Sequence, residues 1–244
     1  MRKFSLAITT ALALSLSACG GEGEGKLKGE PVAEVKAPEG QQWLDSVKVT
    51  EEGGYLIGNP DASIKLVEFG SLTCHVCADF STQSSEELHR DYINTGKVSL
   101  EFRNFVRDPV DLAASRITHC APKESFLALT EQFMEIQPEV LTRMQQLDEA
   151  AQQRIATAAP LEQPKAYAEA AGVLDFFTQR GVSTDQIDSC LADGDAITAL
   201  AERTKEYGKK YDIPGTPTFL INGKAIGVTA WPAVKTALQA AGAR

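Results

Sequence analysis

The sequence lacks three features, and each absence argues against one class of protein. It has no excess of basic residues, since 24 Lys and Arg stand against 33 Asp and Glu for a formal net charge of −9. It has no hydrophobic run long enough for a permanent membrane helix and no second Cys-x-x-Cys beside the one at 74–77. These absences argue against a nucleic-acid partner, an integral membrane span and a zinc site built from two cysteine pairs.

Residues 1–18 are typical of an export signal. The basic start "MRK" precedes "FSLAITTALALSL", an apolar stretch too short to cross a bilayer permanently. The following "LSAC", ending at Cys19, resembles the bacterial lipobox, whose cysteine is acylated and becomes the first residue after cleavage. Ordinary cleavage after Ala18 is the alternative, but it would put Leu16 where a small side chain is required. We expect Cys19 to be lipidated, and Gly20 after it resembles an outer-membrane address.

Residues 19–42 are predicted to be an acylated cysteine followed by a flexible tether. The stretch 20–42 is rich in Gly, Glu, Lys and Pro and has almost no large apolar side chains, so it has little surface to bury. As a flexible coil it would reach roughly 25 Å, which would hold a folded domain just off a membrane surface.

The remaining four cysteines divide into two pairs. Export implies an oxidising compartment, in which thiols either pair or carry out chemistry. Cys74 and Cys77 form one candidate pair because they are close in sequence. Cys120 and Cys190 form the other by elimination, as a structural disulfide.

The first pair is predicted to lie between a strand and a helix. "SIKLVEFG", residues 63–70, is a short β-rich run that indicates a buried strand. Beyond the cysteines, apolar residues recur at multiples of four up to Gly96, which predicts a helix. The polar "STQSS" and a capping-box pattern from Ser84 to Glu87 predict a bend or a restart within it.

This position predicts different roles for the two thiols. Unpaired backbone N–H groups and the dipole at a helix N-terminus favour a thiolate, so Cys74 is the candidate nucleophile. Cys77, one turn inward, would resolve the mixed disulfide. The alternative is a metal site completed by His119 and Cys120, but nothing in the sequence brings these residues to the first pair, and His119 is more simply an exposed helical residue.

A second motif carries a family resemblance. "YDIPGTPTFLINGKAIG" leads from a Pro-Gly-Thr-Pro turn into a strand and an Asn-Gly hairpin. A Cys-x-x-Cys after a strand with this segment far downstream is similar to the DsbA-like branch of the thioredoxin superfamily, over roughly residues 50–242. The resemblance implies that the bond before Pro217 is cis, that Pro217 faces the cysteines, and that Thr216 pairs its backbone with a substrate polypeptide.

The resemblance also implies the fold class: α/β, a thioredoxin fold with an inserted helical subdomain between the Cys-x-x-Cys half and the cis-Pro half. We expect the first half over 43–107, the helical subdomain over 108–195 and the second half over 196–244. The inserted stretch is rich in Ala, Leu, Glu and Gln and is broken at Pro-containing segments. In the family this subdomain is a lid that helps to form a substrate groove.

Two further residues are candidates for the active site. Glu68 lies six positions before Cys74, where the superfamily places a buried acid that exchanges protons with the inner thiol; an edge position in water is the alternative. His75 follows the first cysteine, whereas the best-known family pattern has histidine before the second. A protonated His75 would stabilise the Cys74 thiolate, or it would point into water.

Together these features predict a periplasmic, lipid-anchored thiol–disulfide oxidoreductase that introduces disulfides into exported proteins. A reductase or an isomerase shares the same motifs, and a thiol-based copper- or zinc-binding module is the alternative of another class. We expect no cofactor and no bound metal, a membrane redox partner that resets the disulfide, and a monomer, because the tether carries no dimerisation domain.

Substitution Cys19→Ala tests the lipoprotein hypothesis. It should abolish acylation and leave the protein soluble or as uncleaved precursor, because the acceptor sulfur is gone. Incorporation of radiolabelled palmitate into wild type and variant measures this. Wild-type protein that takes up no label would contradict the hypothesis.

Overall fold

A single mixed sheet with helices on both faces forms the framework of the protein. The computed structural model describes residues 27–244; the export signal and Cys19 lie outside the described residues. The strands are β1 (Val47–Val49), β2 (Tyr55–Ile57), β3 (Ile64–Gly70), β4 (Val98–Asn104), β5 (Thr218–Ile221) and β6 (Lys224–Ala225). The helices are α1 (His75–Glu87), α2 (Pro109–Cys120), α3 (Phe126–Gln145), α4 (Glu149–Thr157), α5 (Gln163–Ala170), α6 (Val173–Thr178), α7 (Thr184–Ala192), α8 (Gly194–Tyr211) and α9 (Trp231–Ala240).

Strand β3 lies at the centre of this sheet. The strand order is β1-β2-β4-β3-β5-β6, with β3 parallel to β4 and antiparallel to β5. Leu66 pairs with Leu100 on one side and with Ile221 on the other. The sequence prediction of a buried strand here is confirmed, since every residue of β3 except Lys65 is buried.

The two faces of β3 contact different sets of residues because side chains alternate along a strand. Ile64 and Leu66 belong to the main hydrophobic core, which also contains Cys77 and Phe80 of α1. Val67 and Phe69 point the other way and pack with Tyr207 of α8. By this alternation Glu68 shares the face of Leu66, towards α1.

Helix α1 continues through the segment for which the sequence predicts a bend. Residues 81–85 are helical throughout, and the irregular turn comes later, as a π-helical stretch over Leu88–Ile93. The predicted break at "STQSS" is therefore wrong. Tertiary packing overrides the weak local propensity, since Phe80 and Ser84 are buried and α1 packs along α3.

The stretch between β4 and β5 consists of helices, as the sequence predicts. Helix α2 begins with an aspartate cap: the Asp108 side chain accepts a hydrogen bond from the Asp111 backbone N–H, and Pro109 occupies the first turn. The end of α2 is joined to α7 by a disulfide between Cys120 and Cys190. Two helices that are 70 residues apart in sequence are thereby held together.

Residues 27–42 differ from the predicted flexible tether. They have no regular secondary structure apart from one turn, yet their backbone is hydrogen-bonded to the body. The N–H groups of Gly29 and Val32 donate to carbonyls of Ala240 and Gly242, and the N–H of Val35 donates to Thr95 O. These bonds supply the stabilisation that the composition of the segment lacks, so this part of the spacer runs along the folded domain.

The Asn-Gly hairpin is confirmed at the C-terminal edge of the sheet. Asn222 and Gly223 have φ of 49° and 80°, the left-handed values that a tight turn of this type requires. The turn connects β5 to β6, and the Asn222 side chain accepts a hydrogen bond from Lys65 N. Within residues 27–244 we find no helix whose length and apolar character would let it cross a bilayer.

We predict that the Cys120–Cys190 disulfide makes a large contribution to stability. In the chain-entropy model, closing a loop of this length lowers the conformational entropy of the unfolded chain. This raises the free energy of unfolding by about 4 kcal/mol. The double variant Cys120→Ala/Cys190→Ala should lose up to that free energy of unfolding in urea. Comparison in a Cys74→Ser/Cys77→Ser background keeps the other thiols out of the measurement, and equal midpoints would contradict the prediction.

Candidate active site

The two cysteines of Cys-x-x-Cys lie where β3 feeds α1. Cys74 is the N-cap residue of α1 and Cys77 lies in its first turn. Both are unpaired thiols, with 3% and 0% of their surfaces exposed. Cys74 therefore sits next to the free N–H groups of a helix N-terminus, as the sequence predicts, while Cys77 is fully enclosed.

The loop that precedes Cys74 is held by a buried carboxylate. Asp111 of α2 is fully buried and accepts hydrogen bonds from Ser71 Oγ at 2.6 Å and from Leu72 N at 3.0 Å. Thr73 Oγ1 in turn donates to Asp108. The start of the inserted helices thus fixes the backbone just before Cys74.

A second anchor comes from α3. The buried side chain of Gln137 donates from Nε2 to Leu72 O at 2.7 Å and to Cys74 O at 3.1 Å. Buried carbonyl groups need such partners, because an unsatisfied one costs the free energy of desolvation. Gln137 therefore supports both sides of the loop that carries Cys74.

The Thr216–Pro217 segment lies directly beside Cys74. The peptide bond between these two residues is cis. The Sγ of Cys74 lies 3.1 Å from the carbonyl oxygen of Thr216, across 142 positions of sequence, and donates to it when Cys74 is a thiol. The Oγ1 of Thr216 is buried without a hydrogen-bond partner in the described part of the chain, so it is free to donate to the Cys74 sulfur.

The two thiols have opposite electrostatic environments. The pKa of Cys74 is lowered to about 4, chiefly by a hydrogen bond from the Cys77 thiol, with smaller contributions from the nearby Thr216 side chain and from the backbone N–H groups of Cys77 and Val76. The pKa of Cys77 is raised by burial, by its bond to Cys74 and by the charge of Glu68. At neutral pH the pair holds one thiolate, on Cys74, and one thiol.

Glu68 is buried in the central strand, with 4% of its surface exposed. Its neighbours across the sheet are Phe102 and Phe219. Burial raises its pKa to about 8, with smaller contributions from the charges of Glu131 and Cys74. The alternative of an edge position in water is therefore wrong, and the carboxyl can hold or release a proton near neutral pH.

The two histidines discussed from sequence occupy different environments. His75 is exposed at the start of α1, and its side chain makes no hydrogen bond within residues 27–244. His119 is not the exposed residue that the sequence suggests. Its Nε2 lies 2.8 Å from Asn104 Oδ1, its ring packs on Tyr55, and burial lowers its pKa to about 3.

The metal alternative gains no support from the geometry. His119 and Cys120 lie at the far end of α2 from Asp111 and the cysteine loop, and Cys120 is already in a disulfide. Among the described residues, no group of three or more His, Cys, Asp and Glu side chains is arranged to share a metal ion.

Two residues that support the site, Asp111 and Gln137, were not predicted from the sequence. The Asp-Pro pair at 108–109 is a visible helix start, but it does not reveal that the loop before Cys74 lies next to it. Gln137 falls at helical spacing between Phe133 and Val140, both buried. A polar residue on such an apolar stripe is the signal that could have identified it.

Comparisons with known proteins agree with this geometry. A family model described as Thioredoxin matches residues 50–240. The crystal structure of a protein-disulfide isomerase from Novosphingobium aromaticivorans is 34% identical, covers 76% of this chain and 95% of its own, and superposes with a TM-score of 0.71. Alpha-DsbA1 from Wolbachia pipientis is 19% identical, covers 78% of this chain and 92% of its own at a TM-score of 0.60, and supports the fold alone.

Curated relatives from two Rickettsia species carry the name protein-disulfide oxidoreductase. The one from Rickettsia bellii is 26% identical over 186 residues, which are 74% of this chain and 62% of the relative. The one from Rickettsia conorii is 27% identical over 216 residues, 85% of this chain and 70% of the relative. The chain thus spans about two thirds of the length of these relatives.

We predict that the two hydrogen bonds of Gln137 are needed for the shape of the cysteine loop. Substitution Gln137→Met keeps the volume but leaves Leu72 O unsatisfied, while Cys74 O keeps its bond from the Ala78 N–H; the loss should reduce the free energy of unfolding by about 1–3 kcal/mol. Urea unfolding measures the loss. The matched control is Gln145→Met on the exposed surface of the same helix, and equal stability of the two variants would contradict the prediction.

Proposed function

The chain belongs to the thioredoxin superfamily as a DsbA-like member, and on this basis we propose that it introduces disulfide bonds into exported proteins through Cys74 and Cys77. The observation that carries the proposal is the position of Cys74 at the N-terminus of α1, where hydrogen-bond donors lower its pKa to about 4. A thiolate this stable is a good leaving group and a poor reductant, because its stability favours the reduced protein over the disulfide. Electrons therefore flow from substrate thiols to the protein.

The size of the effect follows from the linkage between pKa and free energy. Compared with a free thiol of pKa about 8.5, the Cys74 thiolate stabilises the reduced folded form by on the order of 4 kcal/mol at pH 7. The disulfide form has no thiolate and gains nothing. For a two-electron couple this difference raises the reduction potential by roughly 90 mV, which favours an oxidase.

The reaction divides between the two sulfurs. A substrate thiolate attacks Cys74 Sγ, the bond between Cys74 and Cys77 breaks, and Cys77 leaves and takes up a proton, for which Glu68 is the nearest acid in the proposed scheme. A second thiolate of the substrate then attacks the substrate sulfur of the mixed disulfide. Cys74 leaves as the stable thiolate, so two substrate thiols are oxidised and one protein disulfide is reduced.

Three residues around Cys74 are candidates for contact with the substrate. The Thr216 carbonyl lies beside the sulfur, at the place where the family resemblance puts backbone pairing with a polypeptide. His75 is exposed next to Cys74 and is the residue most open to contact with an incoming substrate. We assign Thr216 and Pro217 to substrate binding and His75 to the rim of the site.

We further propose that the protein acts outside the cytoplasm, as a lipid-anchored periplasmic monomer reset by a membrane redox partner. Support comes from the export signal over residues 1–18, the lipobox ending at Cys19 and the following Gly20. The disulfide between Cys120 and Cys190 is of a kind that persists in oxidising compartments. The segment 27–42 lies against the domain, so any free spacer to the membrane is shorter than the sequence predicts.

An isomerase is the second candidate, because the solved structure that is 34% identical to this chain is named a protein-disulfide isomerase. The two activities separate when the purified protein is given either a reduced unfolded substrate or one with scrambled disulfides. An oxidase forms disulfides in the reduced substrate, one per oxidised protein molecule. Catalytic recovery of the scrambled substrate without net oxidation would instead favour the isomerase.

Trapping experiments test the assigned roles. Cys77→Ser should leave a Cys74 that can attack but cannot be resolved, so mixed disulfides with exported proteins accumulate on non-reducing gels. Cys74→Ser should trap none, because Cys77 is enclosed and stays protonated. Equal trapping by both variants would overturn the assignment.

The pH dependence of stability tests the direction of electron flow. Because the folded pKa of Cys74 is the lowered one, its stabilising effect is complete above about pH 8.5 and disappears as the pH falls through about 4. The free energy of unfolding of the reduced form should therefore rise, relative to the oxidised form, by about 1.4 kcal/mol per pH unit within that window. Urea unfolding of both forms, with Cys120 and Cys190 paired, measures it; a disulfide form that is more stable at pH 7 would favour a reductase.

A further inference from the structure

The buried carboxyl of Glu68 poses a problem of proton transport. If Glu68 exchanges protons with Cys77, it must also exchange them with bulk water, yet 96% of its surface is enclosed. Its neighbours in the sheet, Phe102 and Phe219, are apolar and carry no proton. The route must therefore lead away from the sheet, towards the helices that cover this face.

A small cavity lies on that side of Glu68. It has a volume of about 20 Å³ and is bounded by β3, β4, α1 and α3. The rest of its lining is apolar and includes Phe80 and Met134, and its polar lining comes from Glu68, Ser81, Ser84, Thr130 and Glu131. A cavity of at least about 10–15 Å³ with two or more polar partners can hold one water molecule, so this one has both the room and the partners.

The hydroxyl of Thr130 supports a water at this place. Its Oγ1 is buried and has no hydrogen-bond partner within residues 27–244, although buried polar atoms are almost always paired. Thr130 lines the cavity together with the two carboxylates. One water would satisfy Thr130 Oγ1 and connect Glu68 to Glu131.

From Glu131 the path continues to the surface. Glu131 Oε1 accepts from Ser85 Oγ at 2.9 Å and lies 2.9 Å from Nε2 of His89, a buried atom whose contact with Glu131 falls outside hydrogen-bond geometry. The side chains of His89 and Glu131 are 18% and 24% exposed. Glu131 therefore reaches both the cavity and solvent, with the His89 ring beside it.

We propose that Glu131 and His89 form a proton relay, which passes protons between Glu68 and solvent through one water in this cavity. The proposal rests on the proposed function of Glu68 as the proton partner of Cys77. Glu131 and His89 do not touch the reacting sulfurs; they act through Glu68. Helix α3 of the inserted subdomain would thus supply the exit for the proton as well as part of the cover of the site.

The relay carries the proton that Cys77 loses in the resolving step. When Cys77 attacks the mixed disulfide on Cys74, the Cys74–Cys77 bond forms, the partner thiolate leaves, and the Cys77 proton passes to the Glu68 carboxylate. Glu68 then gives this proton to the cavity water as the water gives one to Glu131, and His89 or solvent removes it. Reduction of the disulfide runs the same steps backwards.

The groups that face Glu68 set the pH behaviour expected of the relay. They are Cys74 and Cys77 from the start of α1 and Glu131 from α3. Glu131 itself is faced by His89 and Ser85. The negative charge of Glu131 contributes to the raised pKa of Glu68, so loss of that charge should move the titration of Glu68 to lower pH.

A chromogenic aromatic disulfide such as dithiobis(nitrobenzoate) separates the two sulfur reactions in stopped-flow mixing with the reduced protein. Attack by Cys74 releases the first coloured thiolate, and attack by Cys77 on the resulting mixed disulfide releases the second. In Glu131→Gln the first phase should be unchanged. The second phase should slow roughly a hundredfold at its plateau, the low end of what positioned proton transfer contributes, and its pH midpoint should fall.

Matched variants separate a relay from a merely structural role. Glu135→Gln, an exposed acid on the same helix, should leave both phases as in wild type. Glu131→Asp and added small buffer acids such as acetate should restore the second phase, which repacking alone would not do. A second phase that is equally fast in Glu131→Gln and Glu135→Gln would overturn the relay. A slow second phase that neither Glu131→Asp nor added acetate restores would also overturn it.

The same experiment tests the relay and the proposed function independently. Glu68→Gln should slow the second phase at least as much as Glu131→Gln. An unchanged second phase in Glu68→Gln would remove the role of Glu68 and the relay together. A protein that shows the predicted relay kinetics but does not oxidise reduced polypeptides would contradict the oxidase proposal and leave the relay standing.

Discussion

The antiparallel pairing of β3 with β5 is the constraint on which the active site depends. It brings together two segments that are far apart in sequence, so that Cys74 Sγ lies 3.1 Å from the carbonyl oxygen of Thr216. Antiparallel pairing of these strands places the cysteine and the proline loop at one edge. The sulfur therefore meets a fixed set of polar groups and not mobile solvent.

The inserted helices take part in the site more deeply than a cover would. Asp111 and Gln137 hold the loop before Cys74, and Glu131 reaches the cavity beside Glu68. Each of these groups is on a helix that lies between the two halves of the sheet in sequence. Without the insertion, Leu72 O of the cysteine loop would lose its Gln137 partner, and an unpaired buried carbonyl is costly in a protein interior.

The two thiols differ in protonation state because their surroundings differ. Cys74 faces hydrogen-bond donors, which favour its charged form, and Cys77 faces apolar side chains and the carboxyl of Glu68, which disfavour a charge. One fold therefore gives a stable thiolate and a stable thiol three residues apart. In the proposed mechanism, the buried acid Glu68, with a pKa near 8, exchanges the proton that Cys77 loses and regains.

Local patterns in the sequence were sufficient to predict several elements: β3, the start of α1 at Cys74, the hairpin at Asn222-Gly223 and the helical character of the insertion. Periodicity, capping and turn residues act over a few positions, so they can be read directly. Tertiary contacts were needed to establish that α1 runs unbroken through "STQSS", that 27–42 lies against the domain, and that Gln137 and Asp111 hold the cysteine loop. These outcomes depend on hydrogen bonds and packing between residues that are distant in sequence, and such contacts leave no local pattern to read.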